Sequence, residues 1–108
     1  MHHNSLKYCI LLALSSILFV GSSAAAPTAE AGKTIFQNQC AACHNKNMKD
    51  NLTGPALGGV EARWAAYPKE DLYKWIRNSQ SMIAEGHPRA TELWGQYKPT
   101  VMNSFPAF

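Results

Sequence analysis

Cys40, Cys43 and His44 carry the chemistry that this chain announces. They stand in the run Cys40-Ala41-Ala42-Cys43-His44, two thiols separated by two residues with an imidazole directly after. That spacing reads as a covalent attachment site for a c-type haem. Each thiol adds to one of two vinyl groups on the porphyrin edge. The next residue then turns under the ring and offers its imidazole to the iron as proximal ligand. Small Ala41 and Ala42 leave the macrocycle room against the backbone.

Two other chemistries use a C-x-x-C pair. A thiol redox centre wants a βαβ context, and no strand–helix alternation surrounds Cys40. A structural zinc site wants four ligands. The third cysteine, Cys9, precedes an apolar run in a segment expected to be removed. A mixed metal site with His87 is the remaining rival.

A proximal histidine leaves one axial position to fill. Met48, Met82, Met102 and His87 are the soft or imidazole donors downstream. Met48 is tethered too closely to His44 to reach the other side of a ring. Met82 falls at a helix end, where it can pack as an ordinary hydrophobe. His87 precedes Pro88 in a polar turn, where an exposed histidine is expected. Met102 is bracketed by Pro99 and Pro106 in a segment with no helical period. A stiff, extended loop holding a thioether suits a distal ligand, so Met102 is the favoured donor, with Met82 and His87 as alternatives. A thioether there raises the reduction potential and closes the coordination sphere, which suits electron transfer. An open or exchangeable distal site would instead suit a haem sensor or peroxidase-like chemistry.

These side chains need elements to place them. Thr28 can N-cap a helix from about Ala29 to Cys40, whose Gly32 and Phe36 share a face. A glycine in mid-helix costs ~1 kcal/mol against alanine, and close approach by another helix would explain it. Residues 45–59 are dense in Asn, Gly and Pro and read as loop. Within them, Thr53-Gly54-Pro55 can aim a carbonyl at the imidazole N–H of His44, fixing its tautomer and raising its basicity. Pro68 to Asn78 reads as a helix: proline at the start, acids in the first turn, Lys74 and Arg77 toward the end. Leu72, Trp75, Ile76 and Ser79 form its inner face, and Glu70–Lys74 is an i,i+4 pair outside. A second helix from about Arg89 to Tyr97 carries Leu93, Trp94 and Tyr97 on one face.

The 108 residues suffice for one domain. Residues 1–25 read as a secretory signal peptide, with Lys7 in the n-region, an apolar run from Ile10 to Val20 and small residues Ser23-Ala24-Ala25 at the cleavage site. That run is shorter than the ~20 residues of a spanning helix, so an uncleaved membrane anchor is the minor alternative. Residues 26–108 form the domain. A chain this short has little core of its own, and a covalent haem would supply its centre. The formal charge is +3, which loss of Lys7 and two haem propionates would roughly cancel. No Lys/Arg cluster has the density of a nucleic-acid patch.

From about Ala29 to Phe108 the chain resembles a class I cytochrome c of the small monohaem bacterial form. The resemblance rests on Gly32 and Phe36, Cys40-Ala-Ala-Cys43-His44, Thr53-Gly54-Pro55-Ala56-Leu57, the helix around Leu72 to Arg77, and Val101 to Phe108. It implies a mainly α-helical domain wrapped around one covalent haem c with its iron. His44 and Met102 would be axial ligands, Cys40 and Cys43 thioether anchors, and Pro55 the carbonyl partner of His44. Trp64 or Tyr67 would hydrogen-bond a propionate, with Arg63 as charge partner. The function implied is one-electron transfer in a respiratory chain, without enzymatic activity. A quinol-oxidising complex would be donor and a terminal oxidase or reductase acceptor, in the periplasm. The family carries a C-terminal helix that crosses the first at the Gly32/Phe36 face; this sequence stops at Phe108, where that helix would begin.

Overall fold

A computed structural model describes residues 21–108, so most of the expected signal peptide lies outside the described residues. The described chain is helical and has no strand, which makes the fold mainly α. No helix among the described residues is long and apolar enough to cross a membrane.

Helix α1 spans Ala29–Ile35. Thr28 caps it as expected: its Oγ1 accepts from the Ala31 N–H at 3.1 Å. The helix then widens into a π-helical turn, Phe36–Cys40, in which the Ala41 N–H reaches back to the Phe36 carbonyl. Sequence periodicity gives no sign of that widening. The Cys40 carbonyl accepts from both Cys43 and His44, at 3.1 and 3.0 Å. That tight turn brings the second thiol and the imidazole round the end of the helix. Nothing lies within 4 Å of a Cβ built on Gly32, and α1 buries no residue. Among the described residues, then, no helix makes the close approach expected at Gly32.

The loop from Ala41 to Gly59 is knitted by its own polar groups. Asn47 Oδ1 accepts from the N–H groups of Lys49 and Asp50, an Asx turn. Gly54 N–H donates to the Cys43 carbonyl and Gly58 N–H to the Met48 carbonyl, each at 2.8 Å. Gly54 is a close approach: a Cβ there would sit 2.8 Å from His44 Cε1 and 3.1 Å from its Nδ1.

Three helices build the core. Helix α2 is Val60–Trp64, α3 is Lys69–Ala84 and α4 is Pro88–Tyr97. Helix α3 is two helices in one, because Asn78 leaves the helical region at φ −158° and ψ 82°. Its Oδ1 caps the second half by accepting from the Ser81 N–H at 3.0 Å. The expected end at Asn78 is therefore a kink, after which Ser79 to Ala84 continue. Gly86, at φ +76°, closes α3: its N–H bonds the Ile83 carbonyl, and the His87 N–H bonds the Met82 carbonyl. This double bond pattern needs a left-handed residue, which glycine adopts freely. Pro88 then starts α4, where its missing N–H costs nothing.

Trp64, Met82, Ala90 and Leu93 are buried together. Met82 is thus a core side chain. The Glu70–Lys74 pair does not form. Arg77, with its longer reach, takes Glu70 at 2.7 Å, and Lys74 pairs with Asp71 one turn back at 3.3 Å. His87 is not the exposed turn residue expected. Its ring stacks on Trp64, lies 4.8 Å from Tyr67, and places Nε2 3.3 Å from Asp71 Oδ2. Aromatic surface from α2 and the following turn covers it, which a local pattern around Pro88 does not reveal.

Two outcomes follow from this packing. Partial burial pushes the Asp71 carboxyl up, but hydrogen bonds from His87 and Lys74 and their charges outweigh it and hold its pKa below the ordinary value. Stability gained there is present above the ordinary carboxylate pKa, ~3.9, and is lost as pH falls through the lower native value. Urea midpoints measured downward from pH 6 should therefore fall less steeply below pH ~4 in Asp71→Asn than in wild type. In the second, Gly54→Ala should cost about 1–3 kcal/mol by overpacking. Gly95→Ala, in α4 with open space around it, should instead gain about 0.5–1 kcal/mol. Urea unfolding of both variants checks the contrast.

Candidate haem site

A cavity of about 240 Å³ opens between the Cys40–His44 turn, the Gly54 loop, α3, α4 and the segment after α4. Cys40, Cys43 and His44 line one part of it, and Met102 lines it from the C-terminal segment. Apolar side chains supply most of the remaining wall, among them Leu72, Trp75, Ile76, Leu93 and Trp94. The two cysteines of the motif are free thiols, Cys40 half-buried and Cys43 exposed. Burial pushes the Cys40 thiol above its ordinary pKa. A nucleophilic redox cysteine needs the opposite shift, toward thiolate at neutral pH. Among the described residues no three His, Cys, Asp or Glu side chains gather as a metal site, which leaves the mixed site with His87 without a ligand set.

His44 is buried, and its Nδ1 lies 2.7 Å from the Pro55 carbonyl oxygen. A carbonyl only accepts, so Nδ1 carries the proton and Nε2 keeps its lone pair for a metal. The loop that presents this carbonyl is itself held. Arg63, in α2, donates from Nη1 to the Gly58 carbonyl at 2.7 Å and from Nη2 to the Ala56 carbonyl at 2.6 Å. Gly54 removes the one side chain that would collide with the imidazole. Sequence placed Pro55 near His44; the part of Arg63 in bracing the loop is a finding of the structure.

Met102 is half-buried, and its main chain is pinned to α3. Its carbonyl accepts from Ser79 Oγ at 2.9 Å, and Ser79 is fully buried. Three residues on, the Phe105 N–H donates to the carbonyls of Ile76 and Arg77, at 3.2 and 3.1 Å. These are the carbonyls beside the Asn78 kink. Of the alternative axial donors, Met82 sits in the core and His87 against Trp64 and Tyr67; neither lines the cavity. Of the expected propionate partners, Trp64 and Arg63 line it and Tyr67 does not.

Arg89 also lines the cavity, and the sequence reading passed over it. Arg89, Leu93 and Tyr97 are spaced i, i+4, i+8, so they share one stripe of α4. A lone arginine at the head of an apolar stripe was the signal available.

The donor set suits a covalent haem: two thiols and a buried imidazole of fixed tautomer beside an apolar cavity, with a thioether on the same cavity. A cytochrome c family profile matches residues 29–103. A cytochrome c from Tetrahymena pyriformis is 39% identical over 59 residues, which cover 55% of this chain and 53% of that protein. The chain thus spans about half the length of that relative. No solved structure matches. The chain belongs to the cytochrome c family, whose members bind covalent c-type haem with its iron and carry electrons by means of it.

Proposed function

We propose that this protein is an exported one-electron carrier of a respiratory chain, with Cys40 and Cys43 as thioether anchors and His44 and Met102 as axial ligands. The observation that carries the reading is the placement of His44 and Met102 on one apolar cavity, with the His44 tautomer set by Pro55. Held by Cys40, Cys43, His44 and Met102, a haem would supply one-electron chemistry at its iron, accepting an electron from one redox partner and passing it to another. The chain's own residues do the rest. His44 offers Nε2, and the 2.7 Å bond to Pro55 holds the proton on Nδ1 and fixes the ring's orientation. Met102 offers a soft thioether, which favours the reduced metal and raises the potential. Leu72, Trp75, Ile76 and Leu93 exclude water and keep the surroundings at low dielectric. With His44 and Met102 both available to an iron in this cavity, no substrate would need to bind there for an electron to pass, which favours a carrier over an enzyme.

The expected surroundings follow from the same reading. Residues 1–25 direct export, haem is attached in the periplasm, and contact with membranes is through redox partners. A quinol-oxidising complex is the donor and a terminal oxidase or reductase the acceptor, both meeting a small, transient docking surface.

The oxidised, haem-loaded wild-type protein should show the weak long-wavelength absorption band of a thioether–iron bond. Met102→Ala should lose it and gain ready carbon monoxide binding, while Met82→Leu should keep it. Retention of the band in Met102→Ala, or rapid carbon monoxide binding by the wild type, would overturn the ligand assignment.

A further inference from the structure

One of the most deeply buried positions of the chain is given to a hydroxyl. Ser79 is 0% exposed. Burying a hydroxyl is costly unless it is hydrogen-bonded, and alanine would fill nearly the same space without that cost. A serine within a helix ordinarily turns its hydroxyl back on the carbonyl one turn earlier. Ser79 does not. The chain leaves the helical region immediately before it, at Asn78, and Ser79 Oγ donates instead to the Met102 carbonyl at 2.9 Å, 23 positions on.

What Ser79 holds is otherwise untied. Val101, Met102 and Asn103 all line the cavity. Before them, the Thr100 N–H bonds the Tyr97 carbonyl; after them, the Phe105 N–H bonds the carbonyls of Ile76 and Arg77. Among the described residues, the bond from Ser79 is the one hydrogen bond made by residues 101–104. A stretch with so few ties opens locally at low cost.

We infer that Ser79 is the positioning residue of the distal thioether: its hydroxyl sets how seldom the Met102 segment leaves the cavity, and so how well the iron's sixth position resists a small external ligand. The inference rests on the ligand set proposed above. An external ligand binds only while the thioether is away, so its apparent affinity is its intrinsic affinity scaled by the open fraction. Loss of the Ser79 bond raises that fraction, and the external ligand gains by the same factor.

The test titrates the oxidised, haem-loaded full chain with imidazole and follows loss of the thioether–iron band. Ser79→Ala should reach half-saturation at about tenfold lower imidazole, the population change that loss of one buried hydrogen bond produces. Ser79→Cys keeps the volume with a weaker donor and should shift in the same direction by less. Ala90→Gly, buried in the core and off the cavity wall, should lower the urea midpoint and leave imidazole binding as in wild type. Wild-type imidazole binding in Ser79→Ala overturns the inference, as does an equal gain in Ala90→Gly, which would mark general loosening. Should Ser79→Ala fail to load haem, Ser79→Cys decides: unchanged binding overturns the inference and tighter binding supports it. A wild type without the thioether–iron band would instead sink the Met102 assignment, and the role of Ser79 with it; a wild type with the band and an indifferent Ser79→Ala sinks Ser79 alone.

Discussion

The bond between His44 and the Pro55 carbonyl is the constraint on which the rest of the site depends. An imidazole is a metal ligand only through a nitrogen that lacks its proton. The Pro55 oxygen holds that proton on Nδ1 and so frees Nε2. The carbonyl in turn stays in place because Arg63 ties down the residues on its C-terminal side and Gly54 lets the loop lie against the ring. Loop, helix α2 and ligand are thus one unit, and a disturbance at any of them reaches the imidazole.

Electrostatics divides the molecule in a simple way. Surface ion pairs such as Glu70–Arg77 and Lys69–Glu61 are exposed on both sides and contribute little. The pairs that count lie near aromatic or cavity surface. Trp64 and Tyr67 cover the ring of His87, which pairs with Asp71, and Arg89 lines the cavity with its Nε buried and unpartnered. Polarity is scarce inside this chain, so each buried polar atom has a large share in what the site can hold.

Local chemistry was the legible part of the sequence. The cysteine pair and histidine are readable because covalent attachment fixes their spacing along the chain. Thr28, Pro68 and Pro88 mark helix starts because caps and missing N–H groups act within one turn. What escaped was long-range. The widening of α1 at Phe36–Cys40 has no residue signature, and Asn78 looked like an end because a capping asparagine ordinarily stands at a helix terminus, whereas here the helix resumes and runs on to Ala84. His87 was misread because the rings that cover it come from residues twenty and more positions earlier. Arg89 was overlooked because a charged residue in a helix is ordinarily solvated, and only the assembled wall shows it turned inward.

The kink in α3 sets two virtues against each other. Sequence changes at Asn78 that favour a straight helix would improve local order, since the turn would regain its own i to i+4 bonds. They would also reclaim the carbonyls of Ile76 and Arg77, to which Phe105 is tied. The segment bearing Met102 would then keep only the bonds from Ser79 Oγ to the Met102 carbonyl and from Arg77 Nε to the Phe108 carbonyl as its ties to α3. A better helix would make a looser strap, so the imperfect residue at this position is a compromise struck in favour of the thioether's placement.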